Sequence, residues 1–553
     1  MVLEELQKRL FQATLEETDL YNSKGHRISR LYINYGQRNR KYWTKAWFEV
    51  VNDRLTVFVN IECKKKDQGY ARYTAARYKR EIEKQFFEII NNCELERRKV
   101  PLHVRLRDDV PPVYEGSMVH QAEALRFMCS MKVSAFFADG GVGKSKPVID
   151  LCVSRFMVGQ IRKVLVFCPV SNIDNFWNQI RTWCSCRGLE WKVVGTESMS
   201  SSVTTALEAY HYVDSETQII IDESFMIKSP LSKRSKYIFY CVNRTSFKVV
   251  MTGTPIEHTK DFYMQYAMLS ELITECHNYH RFERKFMIMG GPGGDEVIGY
   301  KNLDYLIGLL EPYTFQLKKE DCLDLPSKEF IELECDLTDR QYDLYQDQKE
   351  SLIRLLATED TVPVHTIFGY LTRMHQIACG FYKNSLTGDI EHLGTNKFHL
   401  LEETDYDNGQ TIFFCRYLYE IDMLLKYLGA EKCAVFTGQN RKTRGLEMDL
   451  FTKQEKQHFL STMGSGGVGH NGLQRSSRMF FWSSSFIMIH REQCIWRIDR
   501  LGQSRPMHII DTRTSAGIDT KIRKNVARKS GLADEFRTAM RDKTKLKHFV
   551  ESL

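Results

Sequence analysis

The chain has 553 residues, 42% of them hydrophobic and 27% charged, with a formal net charge of +8. That length can hold about three or four domains with ample core, and the composition is that of an ordinary globular protein, neither disordered nor fibrous. The opening MVLEELQKRL is charged and lacks an apolar signal region, and no uninterrupted apolar run reaches spanning length, so neither secretion nor membrane insertion is expected. The 15 cysteines form no C-x-x-C pair; the closest, Cys184 and Cys186, are two positions apart. Reduced, mostly buried thiols in a cytoplasmic compartment are the expectation.

Along the chain, Leu3, Leu6 and Leu10 fall at helical spacing. Three strand-like runs follow: RLYINY from Arg30, YWTKAWFEVV from Tyr42 and RLTVFVNIEC from Arg54. The last alternates, with Leu55, Val57, Val59 and Ile61 on one face. After the basic turn Lys64-Lys65-Lys66, a helix from about Tyr70 turns Ile82, Phe86 and Ile89 inward. Residues 21–80 hold 15 Lys and Arg against 4 Asp and Glu, a local excess of +11 that leaves the remainder slightly acidic. Such a block suggests a polyanionic partner, most simply nucleic acid; a merely solubilising surface is the competing reading. The order helix, three strands, helix resembles a double-stranded-RNA-binding module. That resemblance would place Lys64, Lys65, Lys66, Arg72, Arg77 and Arg80 against phosphates. A small unrelated α+β module contacting DNA or a protein partner fits the same pattern.

From about residue 111, apolar runs alternate with helical stretches, which implies parallel sheets covered by helices. SAFFADGGVGKS, KVLVFCPV, TQIIIDES and FKVVMTGTP each read as a buried strand and its following loop, and ligands gather at such strand ends. A second set follows in TIFFCRY from Thr411, KCAVFTG from Lys432, RMFFWSS from Arg478 and MHIIDTRT from Met507. The intervening residues, about 260–395, are mostly helical in pattern, broken by the loop Gly290-Gly291-Pro292-Gly293-Gly294. The expected fold is α/β, with two parallel-sheet lobes bearing helical insertions and a small N-terminal α+β module. The expected boundaries are 1–105, 106–325 and 326–553.

Three constellations carry chemistry. Ala138 to Ser145 fits a phosphate loop: glycines, among them Gly141 and Gly143, turn backbone N–H groups toward phosphate, Lys144 reaches the outer phosphates, and Ser145 offers a hydroxyl to Mg²⁺. Asp222-Glu223 ends the apolar run Ile219-Ile220-Ile221, where an acidic pair is costly unless it serves a cation or a reaction. Asp222 suits Mg²⁺ and Glu223 the attacking water; a helix cap is the plain alternative. Arg497 and Arg500 are expected on one face of a short helix ended by Gly502, with Gln503 at a fixed offset. Their planar guanidinium groups suit the charge on a transferring phosphoryl group. Gln121 stands where an adenine-reading amide could sit.

The order and content of these segments resemble the Swi/Snf branch of superfamily II helicase-like DNA translocases, over roughly residues 111–530. Ala138–Ser145 looks like motif I and Val166–Pro169 like Ia; Asp222–Phe225 with Lys228 looks like II, and Thr252–Pro255 like III. Thr411–Tyr417 looks like IV, Ser461–Thr462 through Gly466–Asn471 like V, and Gln493–Gln503 like VI. The resemblance implies two RecA-like lobes with ATP and Mg²⁺ between them, Gly469 and Gln493 also lining the nucleotide. It places nucleic-acid grips near Thr252, Thr254, Ser461 and Thr462. DNA movement by a monomer is the first expectation, and compact members of this kind are common in bacteriophages and bacteria, which would put a viral one in the host cytoplasm. An RNA or single-strand helicase, or a nucleotide-dependent interaction protein acting on RNA polymerase, are the alternatives. The sequence departs from the family pattern at Phe225, which replaces the motif II His, at His258, which replaces an Asn, and in motif V, which carries an extra residue near Gly464-Ser465 and another at Gly472.

Overall fold

The computed structural model describes residues 106–527 apart from 115, 254–258, 291–295, 360–361, 385–387, 441, 467–471 and 487. Before residue 106 it describes the four strands given next and a helix over 76–89, apart from residue 78. The expected helix near Leu6, together with Lys64, Lys65, Lys66, Arg72, Thr254, His258 and Gly469, lies outside the described residues.

Four strands, one more than expected, open the chain. β1 (Thr14–Tyr21) pairs antiparallel with β2 (Arg27–Tyr32), and β3 (Tyr42–Val51) with β4 (Arg54–Cys63). The sequence TLEETDLY of β1 hides its strand character behind acids, and its register slips between Glu16 and Leu20. The helix over 76–89 buries Ile82, Phe86, Phe87 and Ile89 and leaves Arg77 and Arg80 exposed.

The chain divides into two compact units. The first comprises Met1–Phe137, Ser145–Ile288 and Tyr300–Gln316; the second comprises Ala138–Lys144, Met289–Gly299 and Leu317–Leu553. In the first, β5 (Val133–Ala138), β6 (Lys163–Cys168), β7 (Glu190–Gly195), β8 (Thr217–Asp222) and β9 (Phe247–Thr252) pair in parallel, in the order β5-β9-β8-β6-β7. A short hairpin of β10 (Met287–Gly290) and β11 (Glu296–Tyr300) follows, and β12 (Thr314–Leu317) adds a sixth strand beside β5. β5 and β8 are buried at every position, which is why each reads as a mainly apolar run. Within this unit Phe86 and Phe87 pack edge-on against Tyr210, and Phe87 stacks on Tyr237 at 4.7 Å between centroids. The Leu55 N–H also donates to His211 Nε2 at 2.9 Å. The N-terminal helix is thus built into the core of the first unit.

The second unit holds β13 (Lys328–Cys335), the hairpin β14 (Phe381–Lys383) and β15 (Ile390–His392), β16 (Thr411–Cys415), β17 (Cys433–Phe436), β18 (His458–Thr462), β19 (Arg478–Phe481) and β20 (Met507–Thr514). Six of these form an all-parallel sheet in the order β13-β20-β19-β16-β18-β17. The region expected to be mostly helical therefore also contributes one strand to each sheet, β12 and β13. Among the described residues no helix is long and apolar enough to cross a membrane, and the described cysteines are free.

Candidate nucleotide site

Strand order decides which side chains meet in the first unit. β9 lies between β5 and β8, in register so that Asp222 stands opposite Met251. The next residue on each strand end, Glu223 and Thr252, therefore come together: Thr252 Oγ1 donates to Glu223 Oε2 at 3.1 Å. Glu223 sits at φ 51, in the left-handed region, which is uncommon for a residue with a Cβ and turns the chain sharply at the end of β8. Asp222 is 6% exposed; its Oδ1 accepts the Glu223 N–H at 3.0 Å and its Oδ2 the Asn172 amide at 2.7 Å. Thr252 is fully buried with its hydroxyl committed to Glu223, so its place is inside the site, and the surface grip expected of it is corrected. Where Phe225 stands for the motif II His, Ser224 Oγ donates to Gln265 Oε1 at 2.6 Å and Lys228 reaches Asp261 at 3.4 Å.

The phosphate loop, residues 138–144, belongs to the second unit. Gly141 and Gly143 take φ values of +89 and +83 there, conformations that strain any other residue. A Cβ on Gly141 would come within 2.5 Å of the Arg500 Cβ, and one on Gly140 within 2.5 Å of the Trp496 ring. The loop is pinned by Asp139, whose N–H donates to the Leu317 carbonyl at 3.1 Å and whose Oδ2 accepts the Lys319 N–H at 2.9 Å. Lys144 Nζ donates to the Ala138 carbonyl at 2.8 Å. Ser145 begins the helix Ser145–Met157, as the phosphate-loop pattern requires.

The arginine segment differs from its expected geometry. The helix Met488–Ile495 ends before both arginines, and Trp496 to Arg500 form successive tight turns, with Asp499 N–H on the Ile495 carbonyl and Arg500 N–H on that of Ile498. Arg497 and Arg500 are therefore presented by turns, and the shared helix face is corrected. Asp499 between them is buried and neutralised by Lys319 at 2.9 Å and Lys328 at 3.0 Å. Burial draws the Arg500 guanidinium below its ordinary value. Gly502, at φ +95, ends the segment, and Gln503 staples it: its Nε2 donates to the Ser476 carbonyl at 2.9 Å, and its Oε1 accepts the Ser504 and Arg505 N–H groups. Its fixed offset thus serves the backbone. Gln493 is buried, 6% exposed, in the preceding helix.

Other expected residues divide between the site and the core. Ser461 is fully buried with its hydroxyl on the Phe436 carbonyl at 2.6 Å, so the phosphate grip expected of it is corrected to a link between β18 and β17. Thr462 Oγ1 donates to Ser465 Oγ at 2.9 Å. Gln121 Oε1 accepts the Met118 N–H at 3.1 Å, capping the helix Val119–Cys129. Asn172, Lys319 and Lys328 had no distinguishing pattern among the sequence segments described above, and Asp499 stood only within Gln493–Gln503.

The donor set fits a hard divalent cation: a carboxylate at Asp222 and a hydroxyl at Ser145 are oxygen ligands of the kind Mg²⁺ takes alongside phosphate and water. Among the described residues no cluster of three His, Cys, Asp or Glu offers a separate all-protein metal cage, and Mg²⁺ needs none when substrate phosphates complete its shell.

Residues 120–382 match the SNF2-related domain. The SWI/SNF chromatin-remodeling complex subunit snf22 of Schizosaccharomyces pombe is 20% identical over 477 residues, covering 76% of this chain and 28% of that protein. The ATP-dependent DNA helicase DDM1 of Arabidopsis thaliana is 20% identical over 529 residues, 83% of this chain and 68% of its own. The chain thus spans between about a quarter and two thirds of the length of these two relatives. Among solved structures, a Sulfolobus solfataricus SWI2/SNF2 ATPase core in complex with dsDNA is similar at 18% identity and a TM-score of 0.35, covering 81% of this chain and 97% of that one.

Proposed function

We propose that the chain is a member of the Swi/Snf branch of the superfamily II helicase-like proteins and that it hydrolyses ATP to move along duplex or branched DNA. The observation that supports the reading most is the close approach of the phosphate loop to Arg500, with Lys144 six positions from the strand end that Asp139 fixes. Lys144, Gly141, Gly143 and Ser145 would hold the triphosphate, and Ser145 and Asp222 the Mg²⁺, which when bound would neutralise phosphate charge. Glu223 would orient the attacking water, its carboxylate aimed by Thr252. Arg500 and Arg497 would stabilise charge on the transferring group; a guanidinium so placed costs no reorganisation during the reaction. Exposed Arg77 and Arg80 on the N-terminal helix, with Thr462 in the second unit, are the described candidates for phosphate contact.

The test is ATP turnover without nucleic acid, then with duplex DNA, single-stranded DNA and duplex RNA, beside Lys144→Ala. Stimulation by duplex DNA that Lys144→Ala abolishes is the expected result. Preference for RNA would transfer the activity to RNA, and no turnover in any condition would refute an ATPase.

A further inference from the structure

Glu223 keeps an uncommon conformation, and part of what holds it lies after it in the chain. At φ 51 its backbone is left-handed, a state that a residue with a Cβ keeps only where its surroundings impose it. From there the chain makes the single turn Ser224–Ile227, with the Met226 N–H on the Glu223 carbonyl at 3.0 Å. Ser224, first in this turn, is fully buried, and its hydroxyl donates to Gln265 Oε1 at 2.6 Å. Gln265 is fully buried as well, on the helix Asp261–Leu269 that packs against the turn.

The direction of the Gln265 amide is set from its own helix. Its Nε2 donates to the Asp261 carbonyl at 3.2 Å, which turns Oε1 toward Ser224. The same helix meets the far end of the turn, where Lys228 Nζ reaches Asp261 Oδ2 at 3.4 Å. Between these ends, the Ile227 carbonyl accepts the Ser235 hydroxyl at 2.9 Å and ties the turn to the helix Lys233–Val242. Next to the left-handed residue, then, stands a short hydrogen bond between two side chains shielded from water, where such a bond is stronger than at a surface.

We propose that Gln265 is a positioning residue for hydrolysis: by accepting the Ser224 hydroxyl it fixes the backbone of Glu223, and so the direction in which that carboxylate leaves β8. The inference rests on the water-orienting role given to Glu223 above. It divides the aiming of the carboxylate between two elements. Thr252, on the neighbouring strand, holds a carboxylate oxygen, while Gln265, 41 positions beyond Ser224, holds the main chain.

The experiment reads single-turnover hydrolysis by the full chain at saturating ATP and duplex DNA, beside equilibrium ADP affinity. Gln265→Leu keeps the bulk and removes the acceptor; hydrolysis should slow roughly three- to tenfold, the scale of one hydrogen bond, with ADP affinity unchanged. Ser224→Ala removes the other partner, should slow hydrolysis by a similar factor, and is the variant read if Gln265→Leu does not fold. The two changes together should slow it no more than either alone, because they break one interaction. In a Glu223→Gln background, Gln265→Leu should leave the residual rate where it was, whereas a general loosening of the first unit would lower it further. Gln265→Leu at the wild-type rate, additive effects of the two changes, or a further loss in the Glu223→Gln background overturns the inference while leaving the ATPase reading intact. Glu223→Gln at the wild-type rate contradicts the proposed role of Glu223 itself, and the inference falls with it.

Discussion

Thr252 shows how one hydroxyl can be read two ways. In sequence it is the first residue of Thr-Gly-Thr-Pro, a polar residue after an apolar run, and such residues commonly serve turns or contact phosphates. In the fold its strand lies beside β8, which brings it to Glu223. Nothing in one strand states which other strand will be its neighbour, so this contact was not legible. Thr252→Val removes the hydroxyl and keeps the shape; ATP turnover should fall about ten- to hundredfold, the worth of a hydrogen bond to a charged group, with nucleotide affinity unchanged. Steady-state kinetics beside equilibrium nucleotide binding would check this. Gly141 was legible from its motif, but its closeness to Arg500 was not. Gly141→Ala combines a positive φ with a Cβ in occupied space, so nucleotide binding in titration should weaken at least tenfold, the equivalent of about 1.4 kcal/mol.

Among the elements, the N-terminal helix was legible in its inward face and not in its partner. Ile82, Phe86 and Ile89 repeat at helical spacing, yet only the packing of Phe86 and Phe87 on Tyr210 and Tyr237 shows that the helix is integral to the first unit. Phe86→Ala should lower the stability of that unit by about 3–5 kcal/mol, read by chemical denaturation. β13 went unseen because KEFIELEC alternates glutamates with apolar residues on a largely exposed edge strand, a pattern that strong helix formers disguise. A third element joins the helix Val364–Ala378 to its surroundings through His375, whose Nδ1 lies 2.9 Å from the Tyr417 hydroxyl. Burial first, then the charges of Arg416 and Lys397, hold this imidazole well below its ordinary value; Asp519, at 3.7 Å, is too far to accept a hydrogen bond and does not reverse that. Folded His375 stays neutral while the unfolded chain takes up a proton. Its contribution to stability is therefore complete above about pH 6.5 and declines as pH falls below it, by at most about 1.4 kcal/mol per pH unit. Urea denaturation between pH 5 and 8, on scales set by the reference value of histidine, should show a flatter profile for His375→Gln than for the wild type.

For the whole molecule, alternation of buried apolar runs with helical stretches was enough to foresee two parallel sheets, because strands covered on both faces are mainly apolar. Loop chemistry at the ends of β5 and β8 was legible for the same reason: glycines beside Lys144 and acids after three isoleucines contradict their surroundings unless they serve a ligand. The supporting residues, Asn172 for Asp222 and Lys319 with Lys328 for Asp499, depend on contacts far apart in sequence and carry no local signature. If Arg500 stabilises the outermost phosphate of a nucleotide held by the phosphate loop, its loss should slow the reaction and spare binding. Single-turnover hydrolysis by Arg500→Ala at saturating ATP and duplex DNA tests it most directly. ATP affinity should stay within a few-fold of wild type while the hydrolysis rate falls by about a thousandfold; hydrolysis at the wild-type rate would rule out that role for Arg500.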